Sequence, residues 1–126
     1  MTITRLDHLV LTVADVEESV LFYTSVLGLE VYRSPEGRVS LLFGDQKINL
    51  HQAGNEFEPK AAFPAPGSGD LCLVTDSSLE EFMDRFQGLE VEIVAGPVER
   101  AGALGPMRSV YVRDPDGNLI EVARYP

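Results

Sequence analysis

One pattern in this chain occurs twice. Val26-Leu27-Gly28-Leu29-Glu30-Val31 returns as Phe86-Gln87-Gly88-Leu89-Glu90-Val91, and Val16-Glu17-Glu18 returns as Leu79-Glu80-Glu81. Lys47-Ile48-Asn49-Leu50 returns in pattern as Leu119-Ile120-Glu121-Val122. A repeat of roughly sixty residues marks a supersecondary unit that cannot bury its apolar face alone. The chain of 126 residues has room for two copies, and each is too small for a sizeable core. The repeat therefore demands paired modules, in one chain or exchanged between chains, sharing a core and opening a cleft between their sheets.

Local patterns supply the elements. Asp7 to Val13 alternates as a strand, and Asp15 is suited to cap a helix with Glu17 and Glu18 in its first turn. Val16, Val20, Tyr23 and Leu27 recur at helical spacing, and Gly28 closes the helix. Strands are expected over 29–33, 39–43 and 47–52, with turns at Ser34-Pro35-Glu36-Gly37 and Gly44-Asp45-Gln46. Residues 53–69 carry Gly54, Pro59, Pro64, Pro66, Gly67 and Gly69, and read as a linker with an ordered loop. The pattern then restarts with a strand over 70–75 and a helix over 78–86 that Gly88 ends. Strands are expected over 89–94 and 108–113, separated by a Gly/Pro-rich loop over 96–106. The last strand leaves the turn Asp114-Pro115-Asp116-Gly117-Asn118. Each half reads β-α-β-β-β: module one about 5–54, linker 55–69, module two about 70–126, together one domain of α+β class.

Composition narrows the function. A net charge of −10 argues against nucleic acid and anionic membrane surfaces, which need a basic face. No apolar run reaches the ~20 residues that cross a bilayer. No signal peptide is visible at the N-terminus, so a cytoplasmic location is expected. Cys72, the single cysteine, lies in an apolar run and reads as a buried, inert thiol.

The side chains that carry chemistry sit inside strands. Glu121 stands between Ile120 and Val122, so alternation turns it to the face opposite both. A carboxylate there must be solvated, paired or metal-bound, because burying it alone is too costly. His8 and His51, the two histidines, also face away from their apolar neighbours, as does Asp70. Imidazole with carboxylate suits a divalent ion such as zinc, manganese, iron(II), nickel or cobalt. The competing reading is a set of half-exposed polar strand residues, since the candidates are dispersed and share no local motif spacing.

The residues also carry a family resemblance. DHLVLTVADVEESVLFYTSVLGLEV at the start and RSVYVRDPDGNLIEV at the end, with H-x-x-L, FY-x-x-x-LG and DPDGN-x-x-E, resemble the vicinal oxygen chelate superfamily. That superfamily includes glyoxalase I, extradiol dioxygenases, fosfomycin-resistance proteins and bleomycin-binding proteins. FGDQKINLHQAGNEFEPKAAFP, GSGDLCLVT and GPVERAGALGP are similar, more narrowly, to the glyoxalase-domain-containing protein five group. The resemblance implies tandem βαβββ modules with mixed sheets curved into a metal-binding cup, usually in a homodimer. It places the family's first-strand histidine on His8 and its last-strand glutamate on Glu121. Asp70 stands where the family commonly has histidine, and Asn49 where glyoxalase I has glutamate, with His51 further along the same face.

The expected metal shell is His8, His51, Asp70 and Glu121, with Glu121 and Asp70 as the catalytic carboxylates. Asn49, Phe57, Lys60 and Arg108 are the expected substrate contacts. The expected activity is metal-dependent lyase or isomerase chemistry, glyoxalase I-like, on a small oxygenated substrate held by bidentate chelation. An anionic substrate would need local cations such as Arg38, Lys60, Arg100 or Arg108. A metal-free antibiotic-binding protein, with Phe57, Phe63, Tyr111 and Tyr125 as pocket walls, and an extradiol dioxygenase are the alternatives.

Overall fold

The computed structural model describes residues 1–126. The elements run β1 (His8–Val13), α1 (Val16–Ser25), β2 (Glu30–Arg33), β3 (Val39–Phe43) and β4 (Gln46–Gln52). They continue as β5 (Asp70–Val74), α2 (Leu79–Gly88), β6 (Ala95–Gly102), β7 (Gly105–Arg113) and β8 (Leu119–Arg124). The chain forms two compact units, Met1–Pro66 and Gly67–Pro126. Each holds one four-stranded sheet, ordered β1-β4-β3-β2 in the first and β5-β8-β7-β6 in the second. In both, the first strand runs parallel to its neighbour and the others pair antiparallel. The repeat is thus a repeat of topology, and the expected α+β class with tandem βαβββ modules is what the chain adopts.

In the N-terminal unit, Leu11, Val13, Leu41, Ile48 and Leu50 are buried on one sheet face, and α1 packs against β2, β3 and β4. Tyr23, fully buried on α1, contributes about 1.5–3 kcal/mol by leaving water. Asp15 caps α1 by accepting from the Glu18 amide at 3.0 Å. Gln52 fixes the entry to that helix: its amide nitrogen donates to the Ala14 carbonyl, and its oxygen accepts from the Val16 amide. In the C-terminal unit Val110, Val112, Ile120 and Val122 form the buried face beneath Leu79 and Phe86 of α2. Ser78 caps that helix through the Glu81 amide at 3.2 Å.

Two boundaries differ from the sequence expectation. Residues 91–94 are not a strand, and most of the expected loop over 96–106 is β6, its turn and the start of β7. Gly96-Pro97 reads as punctuation, yet β6 is an edge strand with a register irregularity between Ala95 and Val98. At an edge bulge the missing proline N–H costs no ladder bond. Gly28 takes the expected left-handed conformation (φ +73°), but Gly88 stays helical and Glu90 adopts φ +57° instead. The Val91 amide then reaches back to the Phe86 carbonyl at 2.7 Å, closing the helix end.

Candidate functional site

The polar face of each sheet follows from its register. In the N-terminal unit His8 lies opposite Lys47, Val10 opposite Asn49, and Thr12 opposite His51. Asn49 also lies opposite Ser40, whose hydroxyl donates to the Asn49 carbonyl oxygen at 2.8 Å. In the C-terminal unit Asp70 lies opposite Leu119, and Cys72 opposite Glu121. Glu121 in turn lies opposite Tyr111. The registers make His8 and Asp70 equivalent, and likewise Asn49 and Glu121.

Glu121 is half-buried and is held from its own sheet. The Ser109 hydroxyl donates to Oε2 at 2.6 Å. Burial, and then the Glu121 charge, push the Cys72 thiol up to about 11. Burial also raises Tyr111, with the Glu121 carboxylate adding to the shift, so the phenol keeps its proton. Cys72 is accessible rather than buried as expected, and its carboxylate neighbour helps to keep it unreactive. Asp70, Val94, Ala95, Arg100, Tyr111, Arg113, Leu119 and Glu121 line a cleft of ≈ 410 Å³. Asp70 is exposed there. A second cavity of ≈ 370 Å³ holds Arg108 and Arg124 near the start of α2, away from Glu121.

The turn before β8 aims Glu121. Asp114 Oδ1 accepts from the amides of Asp116 and Asn118, and Oδ2 accepts from Asn118 Nδ2 at 2.7 Å. Asn118 Oδ1 accepts from the Gly69 amide at 2.7 Å, tying the start of β5 to the start of β8. Asp114 and Asn118 are both buried. Their satisfied network makes the DPDGN motif a structural clamp that sets the register of the cleft.

His8 is exposed, and its Nδ1 faces Asp7 Oδ1 at 2.8 Å. That hydrogen bond holds the Asp7 carboxyl below its ordinary range. It leaves Nε2 as the open nitrogen, the way carboxylates orient ligating imidazoles. His51 does not converge with His8: their ladder positions are four residues apart, roughly 13 Å along the sheet. Its ring meets Phe57 edge-on, with centroids at 5.6 Å, and burial lowers its pKa, with Arg38 contributing next. Within neither unit do three or more His, Cys, Asp or Glu side chains converge on a metal position.

The expected cationic substrate contacts are already engaged. Lys60 bridges Glu56 and Glu58, each at 3.2 Å, and Arg108 pairs with Glu80 of α2 at 3.0 Å. Phe57 carries the Arg38 guanidinium at 4.2 Å from its ring centroid. Phe63 is exposed. Reasoning from sequence overlooked Ser109, the Cys72 contact and Asp7. Strand alternation from Tyr111 would have found Ser109.

The Glyoxalase/Bleomycin resistance protein/Dioxygenase superfamily profile matches residues 5–122. The chain belongs to this superfamily. Virulence protein STM3117 of Salmonella typhimurium is 50% identical over 99% of this chain and 87% of its own length. Its crystal structure superposes with a TM-score of 0.97, covering all of both chains. Glyoxalase domain-containing protein RDO1 of Mycosarcoma maydis is also 50% identical, over 99% of this chain and 70% of its own. The lactoylglutathione lyase of Salmonella typhimurium is 31% identical over 94% of this chain and 90% of its own. The superfamily profile spans both units, from Arg5 to Val122.

Proposed function

We propose that this superfamily member is a metal-dependent enzyme of glyoxalase type, moving a proton on a small oxygenated substrate. The observation that carries the reading is Glu121, a strand-interior carboxylate oriented by Ser109 within a cleft that also holds Asp70. An oriented carboxylate is what hard and borderline divalent ions take, and its hydrogen-bonded support is typical of ligating groups. His8, with Nδ1 held by Asp7 and Nε2 open, fits the same role. Similarity to a lactoylglutathione lyase supports the reaction class.

Glu121 would hold the ion in the C-terminal unit, with Asp70 contributing to the shell or facing it; His8 is the candidate ligand of the N-terminal unit. His51 is left out by its ladder position. A bound divalent ion would polarise the substrate carbonyl and stabilise negative charge on its oxygen. Asp70 makes no hydrogen bond or ion pair with another side chain, so its carboxylate is open to accept a proton from carbon and return it to the adjacent carbon. Glu121 and Tyr111 would orient the substrate oxygens. Positioned acid–base catalysis of this kind contributes about 10²–10⁴ in rate.

The test is metal content of protein purified without chelator, with Asp70→Asn, His8→Ala and Glu121→Ala in parallel. About one ion per chain is expected in the wild type, as for single-ion sites, and its loss in Glu121→Ala; the metal content of His8→Ala reads whether that imidazole is a ligand as well. In Asp70→Asn, formation of S-lactoylglutathione is expected to fall by about 10²-fold or more. Wild-type protein without stoichiometric metal overturns the reading and leaves a metal-free binding protein.

A further inference from the structure

We propose that the cleft around Glu121 takes a substrate bearing an oxyanionic group, and that Arg100 is the side chain that binds it. The inference rests on the reading of this cleft as the substrate site and names the substrate class. Arg100 Nε donates to Tyr111 Oη at 3.0 Å, and Nη1 to the Glu99 carbonyl at 3.0 Å. Its guanidinium carbon lies 5.4 Å from the Tyr111 ring centroid. No carboxylate stands within ion-pair distance of it. The other arginines and lysines that reach acids do so directly, as Arg5, Arg33, Lys60 and Arg108 show. In a chain with 20 acidic and 10 basic residues, an unpaired guanidinium lining a cleft is positioned for an acid from outside the chain.

The chemistry matches. A guanidinium is planar, always charged and less strongly hydrated than an ammonium, so it binds carboxylates and phosphonates through paired N–H donors. Tyr111 uses its oxygen to brace the Nε edge, which leaves the Nη2 edge for the ligand. The same phenol interacts with Glu121, so Arg100, Tyr111 and Glu121 form one polar chain across adjacent strands. Arg100, Tyr111 and Glu121 line the same cleft, so the charged group of the substrate would bind in the cleft that holds Glu121.

Neighbouring cations do not offer the same geometry. Arg113 shares the cleft, but its Nη1 is bound to the Gly117 carbonyl in the turn before β8. Arg38 also lacks an ion pair, yet it stacks on Phe57 in the N-terminal unit, beside buried His51.

The experiment titrates chelator-treated full-length protein with methylphosphonate and, separately, with malonate. The Arg Nε–Hε resonances of ¹⁵N-labelled protein and calorimetry are the readouts. A saturable shift of the Arg100 resonance is expected, with affinity falling about tenfold or more in Arg100→Met. Arg100→Lys should recover part of it, and Arg38→Met should bind as wild type. The stronger of the two probes separates a phosphonate-type from a carboxylate-type group. Equal binding in wild type and folded Arg100→Met, or no saturable shift at Arg100, overturns the proposal. Metal content of the same preparations, measured before the chelator treatment, separates the two readings. Anion binding without metal leaves Arg100 standing and removes the enzyme, whereas metal without an Arg100 response removes only the anion site.

Discussion

At the scale of single residues, Glu121 shows how one side chain sets the chemistry of its neighbours. It accepts from Ser109, and its charge disfavours ionisation of Cys72 and Tyr111. With the Cys72 thiol at about 11, roughly a thousandth is thiolate at pH 8. Iodoacetamide should therefore label this accessible thiol slowly. In chelator-treated protein, Glu121→Gln removes the carboxylate charge and is expected to speed labelling about three- to tenfold, since half to one pKa unit is the scale of one neighbouring charge. Unchanged rates would mean that burial alone holds the thiol. Glu121 was legible from alternation between Ile120 and Val122, because strand period is a local property. Its partners were not, because Ser109 and Cys72 meet it only through the β7–β8 and β5–β8 registers.

At the scale of elements, both helices were legible: Asp15 accepts the amide that its position foretells, and Ser78 caps α2 in the same way. The failure lay at β6, where Gly96-Pro97 concealed an edge strand. Local composition cannot tell an edge, where proline is harmless, from a central strand, where it is not. The same difficulty attends the end of α2. The parallel between Gly28 and Gly88 suggested equivalent caps, yet the left-handed position falls on Glu90. A non-glycine residue held there costs about 1–2 kcal/mol, partly offset by glycine's greater freedom in the unfolded chain. Glu90→Gly is accordingly expected to stabilise the protein by about 0.5–1 kcal/mol. The check is a higher urea midpoint at unchanged slope; a lower midpoint would show that the Glu90 side chain contributes more than its backbone costs.

At the scale of the whole molecule, charge dominates. Twenty acidic against ten basic residues make the folded chain self-repelling at low ionic strength. Raising salt from about 10 mM to about 150 mM shortens the Debye length from roughly 30 Å to roughly 8 Å. The melting temperature should rise over that range, and the protein should show no retention by duplex DNA. A falling melting temperature would mean that ion pairs such as Arg33–Glu17 and Arg108–Glu80 outweigh the net repulsion. No helix is long and apolar enough to cross a membrane.

The sequence by itself determined the tandem βαβββ repeat, the superfamily, the turn at Asp114–Asn118 and the outward face of Glu121. All of these follow from periodicity, turn chemistry and short motifs, which act over a few residues. Tertiary structure alone decided which charged groups are free to meet a ligand. Lys60 and Arg108 looked as available as Arg100 until Glu56, Glu58 and Glu80 claimed them. His51 looked equivalent to His8 until the β1–β4 register set them four residues apart. Availability depends on the partner that long-range pairing brings to each side chain, and no local pattern encodes that partner.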